Sequence, residues 1–210
     1  MTIQAVAWDI DGTLVDSEPL HHRALLTASL ALGCDLSDLP DQAYRGVHMH
    51  DVWEILKPRL PASLEKEAWL AAIDRHYAAN TQHLLPILDA VAAVRELAAR
   101  NIRQVCVSNS GRAVVDANLQ ALGIRDCIDF SISLDDVVAG KPDPGPYLQA
   151  CTRLGLVPAA VAAVEDSRSG ALAARRAGML VIGYAATGGG FQDVDHTITD
   201  FHSLPDLLTA

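Results

Sequence analysis

At 210 residues, half of them apolar and a fifth charged, the chain has the material of one ordinary domain, or of one domain carrying a smaller insertion. This composition excludes a disordered polypeptide. A formal net charge of −10 argues against nucleic acid or an anionic membrane as the main partner, so positive charge for any anionic ligand must be supplied locally.

In chain order, IQAVAW (3–8) reads as a buried strand. The pattern then turns helical. SEPLHHRALLTASLALG (17–33) has Ser17 at the N-cap position and Pro19 in the first turn. DVWEILKPRL (51–60) and LEKEAWLAAIDRHYAANTQHLL (64–85) are helical as well, with no strand-like run between them. Strand–helix alternation resumes near Pro86. LDAVAAVRELAARN (88–101) sets Leu88, Val91, Ala92, Leu97 and Ala98 at helical spacing, and QVCV (104–107) follows as a strand. AVVDANLQALG (113–123) is helical through Val115, Leu119 and Leu122, with Gly123 at its C-terminal end. The strands FSISL (130–134), AVAAV (160–164) and MLVIGY (179–184) alternate with the helices YLQACTRLG (147–155) and SGALAARRAG (169–178). ATGGGFQD (186–193) reads as a flexible linker.

This order predicts an α/β fold, a parallel sheet with helices on both faces. Residues 1–16 and 85–210 form its core, and residues 17–84 form a helical domain inserted after the first strand. Cys34, Cys106, Cys127 and Cys151 are scattered without a Cys-x-x-Cys pair. They read as reduced, mostly buried thiols rather than a zinc or disulfide framework. With neither a signal-peptide pattern nor an apolar run of ~20 residues, the expected location is cytoplasmic.

In an open parallel sheet, ligands bind outside the carboxyl ends of the strands. Here each strand end carries chemistry. Asp9-Ile10-Asp11-Gly12-Thr13 follows the first strand and Ser108-Asn109-Ser110 the second. A loop with Lys141 follows the third, and Glu165-Asp166-Ser167 the fourth. Three or more acids, a lysine and hydroxyls are thereby brought to one rim.

These elements, Asp9-x-Asp11-Gly-Thr13, Ser108 after an apolar strand, Lys141-Pro142, and Glu165-Asp166-Ser167 followed by Gly170, resemble in kind and order the haloacid dehalogenase-like hydrolase superfamily. The run VEDSRSGALAARRAGMLVIG is most like its phosphatase and sugar-phosphate-mutase branch. The resemblance covers nearly the whole chain. It implies a Rossmann-like core, a mobile helical cap over residues 17–84, and phosphoryl transfer through an aspartyl-phosphate on Asp9. It further implies Mg²⁺, held by Asp9 and Asp166 side chains, the Asp11 carbonyl, and Glu165 directly or through a water.

The residue chemistry agrees with those roles. Positions two apart in extended chain point the same way, so Asp9 and Asp11 can face one substrate. Asp9 serves as nucleophile, and Asp11 as general acid and then base. Gly12 relieves the turn, and Thr13 holds the loop and lines the substrate site. Lys141 pairs with phosphate oxygens and with the carboxylates. Ser108 and the Asn109 amide either donate to phosphate oxygens or cap the helix that starts near Arg112.

The insert carries His21, His22, His48, His50 and His76, without a known zinc-ligand spacing. His21 sits where related mutases carry a cap-hinge histidine. It either touches substrate or positions Asp11, or is a half-exposed helical histidine. YRGVHMHD (44–51) resembles the cap loop that reads substrate. Mutases place an arginine after its glycine, where this chain has Val47-His48-Met49-His50. Arg45 and Arg75 either take over a second phosphate or are surface charges. Dehalogenases lack the second acid, and phosphonoacetaldehyde-type hydrolases need a cap lysine that residues 1–56 do not supply. The expected function is a Mg²⁺-dependent phosphatase of a small phosphate monoester, a sugar phosphate or a phosphoglycolate-like compound. The alternatives are a β-phosphoglucomutase-like mutase and a non-catalytic binding protein on the same scaffold. The expected partner is a small phosphorylated metabolite, not nucleic acid or membrane, and the expected state is a monomer or weak dimer.

Overall fold

The computed structural model describes residues 2–40, 43, 44, 47 and 49–209. Arg45 and His48 lie outside them. The chain separates into two compact units, one of residues 1–15 and 86–210, the other of residues 16–85.

The larger unit is built on a six-stranded sheet. Its strands are β1 (Ala5–Trp8), β4 (Arg103–Val107), β5 (Phe130–Ile132), β6 (Val161–Glu165), β7 (Leu180–Tyr184) and β8 (His196–Ile198). They lie in the order β5-β4-β1-β6-β7-β8, and every pairing is parallel. The register sets Trp8 beside Cys106 on one side and beside Val164 on the other. β1 is therefore central, and the chain winds outward from it in both directions. Such a reversal point opens a crevice at the carboxyl end of the central strand, where Asp9 follows Trp8. The short strands β2 (Val15–Asp16) and β3 (Leu85–Pro86) pair separately as a two-stranded ribbon.

Helices α4 (Leu88–Ala99), α5 (Arg112–Ala121), α6 (Gly145–Leu154), α7 (Arg168–Ala177) and α8 (Leu204–Thr209) belong to this unit. The period-two alternation of the strands sorts their side chains. Ala5, Ala7, Val105, Val107, Val161 and Ala163 pack with Tyr147, Ala150, Ala173 and Ala174 of α6 and α7. On the opposite face, Trp8 Nε1 donates to Gln104 Oε1 at 2.9 Å, and Gln104 Nε2 donates to the Val94 carbonyl of α4 at 2.9 Å. The fully buried glutamine is thus satisfied, as an interior amide must be.

Several local expectations are corrected. The sixth strand, β8, follows the Gly-rich loop and escapes the apolar-run signal because His196 and Thr197 are exposed. FSISL stops being strand at Ile132, because Ser133 and Asp136 close a capping box over the next turn. Leu88 and Ala92 are exposed, and the buried stripe of α4 is Ala90, Val91, Ala93, Val94 and Leu97. Cys34, Cys106 and Cys151 are buried and Cys127 half-buried, all four as free thiols.

The smaller unit holds α1 (Glu18–Ala31), α2 (Met49–Leu56) and α3 (Lys66–Ala78). Its core is aromatic: the rings of Trp53 and Trp69 lie 5.4 Å apart, and Trp69 Nε1 donates to Ser29 Oγ at 2.9 Å. Ser17 stands at the start of α1 but in helical conformation. Its buried hydroxyl makes no capping hydrogen bond, and it has no partner among the described residues. No helix among the described residues is long and apolar enough to cross a membrane.

Candidate active site

Beyond Trp8 the chain folds into a compact loop. The N–H groups of Thr13, Leu14 and Val15 all reach the Ile10 carbonyl, at 3.2, 2.8 and 3.2 Å, and Gly12 N–H donates to the Val15 carbonyl at 2.8 Å. Gly12 has φ of +85°, and a Cβ there would collide with the Asp166 carboxylate. Backbone bonds therefore hold this loop. The Thr13 hydroxyl is fully buried and has no partner among the described residues, so it neither ties the loop nor lines an open surface.

Three sequence-distant groups meet at Asp9. Lys141 Nζ lies 2.7 Å from Asp9 Oδ1 and 2.5 Å from Glu165 Oε1. All three residues are buried. Asn109 braces the lysine from behind. Its Nδ2 donates to the Lys141 carbonyl at 3.0 Å, and the Lys141 N–H donates to Asn109 Oδ1 at 2.8 Å. Glu165, expected in the loop after the fourth strand, is instead the last residue of β6 and is fully buried. Alternation puts it on the face of Val161 and Ala163, under α6 and α7. Tyr147 O–H donates to its Oε1, and Ser167 Oγ lies 3.3 Å from its Oε2. Ser167 also caps α7 by accepting from Gly170 N–H at 3.1 Å. A Cβ at Gly170 would collide with both Glu165 oxygens, so the Gly after Ser167 makes room for this buried acid.

Asp11 has separate partners. Its Oδ2 accepts from Ser110 Oγ at 2.8 Å and from Ser108 Oγ at 3.3 Å, and its Oδ1 accepts from Asn118 Nδ2 at 3.3 Å. Neither Ser108 nor Asn109 caps α5. Gly111 occupies the cap position, and the Asp135 carboxylate receives the Arg112 N–H at 2.7 Å. His21 lies in the smaller unit on α1, with its ring 4.3 Å from that of Tyr77. Arg75 is exposed on α3. Tyr147 and Asn118 were not expected from the sequence, whereas Ser110 was expected only as part of the polar rim and not as a partner of Asp11. Asn118 could have been, since it falls beside Val115, Leu119 and Leu122 on the apolar stripe of its helix.

The family model for haloacid dehalogenase-like hydrolases matches residues 3–178. The chain belongs to this hydrolase family. Hexitol phosphatase B of Escherichia coli K12 is 32% identical over 183 residues, 84% of this chain and 81% of that protein. Phosphoglycolate phosphatase of Yersinia pestis is 34% identical over 191 residues, 86% of this chain and 80% of that protein. Among solved structures, CbbY from Rhodobacter sphaeroides in complex with phosphate superposes with a TM-score of 0.87 at 26% identity, covering 97% of this chain and 96% of that one. Another structure of CbbY from that organism contains xylulose-(1,5)bisphosphate, and it superposes with a TM-score of 0.86 at 25% identity, over 97% and 96% of the two chains.

The electrostatics of the hydrolase site follow from burial. Desolvation pushes the Asp9 carboxyl well above the usual carboxylate range; Lys141 opposes the rise, while Glu165, Asp166 and Asp11 add to it. Burial and the Glu165 charge push Asp166 up to about 7. Burial also works against the Lys141 charge, but Asp9 and Glu165 outweigh it and hold the amine above its ordinary value. One amine thus faces more negative charge than it can balance. Carboxylate oxygens of Asp9, Glu165 and Asp166 lie within 4.8 Å of one another. An all-oxygen donor set in such a charge deficit fits a hard divalent cation.

Proposed function

We propose that this hydrolase is a Mg²⁺-dependent phosphatase of small phosphate monoesters, acting through a phosphoryl group on Asp9. The observation that carries the reading is the convergence of Asp9, Lys141, Glu165 and Asp166 at the reversal point of the sheet. A divalent cation, held by Asp9, Asp166 and the Asp11 carbonyl, supplies charge neutralisation where a phosphate dianion meets a carboxylate. Glu165 adds its charge from behind, because its oxygens are already engaged by Lys141, Tyr147 and Ser167.

Asp9 attacks phosphorus, the ester P–O bond breaks, and Asp11 gives its proton to the departing alkoxide. Asp11 then takes a proton from water, the resulting hydroxide attacks phosphorus, and phosphate leaves as Asp9 is restored. Lys141 spends two of its three N–H hydrogens on Asp9 and Glu165 and offers the third to a phosphoryl oxygen. Ser108 and the Asn109 backbone N–H supply further donors. The helical insert, read as a cap over residues 17–84, selects the alcohol. The names of the relatives point to hexitol phosphates, phosphoglycolate and pentulose bisphosphates as the substrates to try.

Those compounds, assayed for released phosphate with and without Mg²⁺, test the reading. Mg²⁺-dependent release from at least one supports it. Release from none overturns it, and isomerisation that needs a bisphosphate, without net phosphate release, makes the protein a mutase instead.

Metal binding has a signed pH dependence. Between the ordinary aspartate value and about 7, folded Asp166 holds a proton that the unfolded chain gives up. Metal-free stability therefore falls as pH rises through that window. A cation needs the deprotonated form, so Mg²⁺ should stabilise more at pH 8 than at pH 5. At a concentration 100-fold above Kd, about 2.7 kcal/mol is expected at the higher pH, or roughly 5–10 °C in Tm. Thermal unfolding in Mg²⁺ and in EDTA at both pH values measures it. Equal shifts at the two would count against metal on these carboxylates.

A further inference from the structure

The Tyr147 hydroxyl is buried in an apolar cluster, with the Glu165 carboxylate as its acceptor. A phenol and a carboxylate left unpaired in such surroundings would both be costly. Glu165 Oε1 accepts from two donors at once, Tyr147 O–H and Lys141 Nζ, and Lys141 also lies 5.4 Å from the centroid of the Tyr147 ring. The chain of contacts runs from Tyr147 on α6 to Glu165 on β6, from there to Lys141, and on to Asp9.

We infer that Tyr147 is a positioning residue for Lys141, acting through Glu165. Its hydroxyl fixes the rotation of the Glu165 carboxylate, and that carboxylate, with Asp9, fixes where the ammonium points. The carboxylate is seated against Gly170, with Ser167 Oγ 3.3 Å from its Oε2, and the tyrosine adds the hydrogen bond to Oε1, the oxygen that meets the ammonium. The consequence for turnover rests on the phosphatase reading above. The restraint on the ammonium does not.

The chain has three lysines, Lys57, Lys66 and Lys141, and of these only Lys141 is buried. With ¹⁵N-labelled lysine, the Lys141 ammonium is identified by elimination using Lys57→Arg and Lys66→Arg. In Tyr147→Phe its signal should move and its hydrogens should exchange about tenfold faster, with kcat lowered about 5- to 50-fold and KM within about twofold. A phenol that merely fills space would leave the ammonium signal and its exchange unchanged, and that result overturns the inference even if no phosphatase activity is found. 4-Aminophenylalanine in place of Tyr147 keeps the ring and offers a weaker donor, so its exchange rate should fall between the two. That variant also decides the question should Tyr147→Phe not fold, an unchanged rate again overturning the inference.

Discussion

Lys141→Met is expected to lower kcat on the order of 10³-fold and, separately, to destabilise the metal-free protein by about 3–5 kcal/mol at neutral pH. The two losses have different causes. The first is the loss of the donor aimed at the phosphoryl oxygens. The second follows from the charge balance, because Lys141 is the amine that Asp9 and Glu165 share in a buried cluster. Without it Asp9 loses the charge that opposes its upward shift. An acid raised further above its unfolded value takes up a proton on folding, so this deficit grows as pH rises and shrinks near pH 5. Thermal unfolding in EDTA should show a Tm roughly 10 °C below wild type at pH 7.5, and a smaller gap at pH 5. A deficit that does not change with pH would mean that lost packing of the lysine stem, not uncompensated carboxylate charge, dominates.

The architecture was legible because its signals are local. Apolar runs of strand length alternate with helices from Pro86 onward, and each of the first four predicted strands is followed by polar residues that a parallel sheet brings to one rim. The edge strand β8 was not legible, because two of its three residues face water and break the apolar run. Within the site, Asp9, Lys141, Glu165 and Asp166 do converge, but Glu165 sits one position earlier in the strand scheme than expected. Extending AVAAV by one residue would have placed it in phase with Val161 and Ala163, on the buried face. Tyr147 carried only a weak signal. It stands six positions after Lys141, but the acceptor that gives its hydroxyl a purpose is 18 positions away, on a different element. Asp11 shows what the period-two argument does not supply: the strand ends at Trp8, and in the loop that follows its carboxylate accepts from Ser108, Ser110 and Asn118, contacts that strand alternation alone does not give.

Asp9→Asn separates the chemical role of the first aspartate from its structural one. The amide keeps the shape of the side chain but cannot accept a phosphoryl group, so kcat should fall by on the order of 10⁴-fold or more. Stability should move little, within about 1 kcal/mol, or rise. Burial already disfavours the Asp9 carboxylate, and Lys141 keeps Glu165 at 2.5 Å as its counter-charge. The two ends of one ion pair therefore respond very unequally: removing the amine strands several acids, whereas removing this acid strands nothing. Acid-quenched wild-type enzyme, caught during turnover, should carry one phosphoryl group on the peptide containing Asp9, and Asp9→Asn should carry none. Substantial turnover in a folded Asp9→Asn protein, or a phosphoryl group recovered on another residue, would move the nucleophile elsewhere. The cluster around Lys141 would then be a structural ion pair.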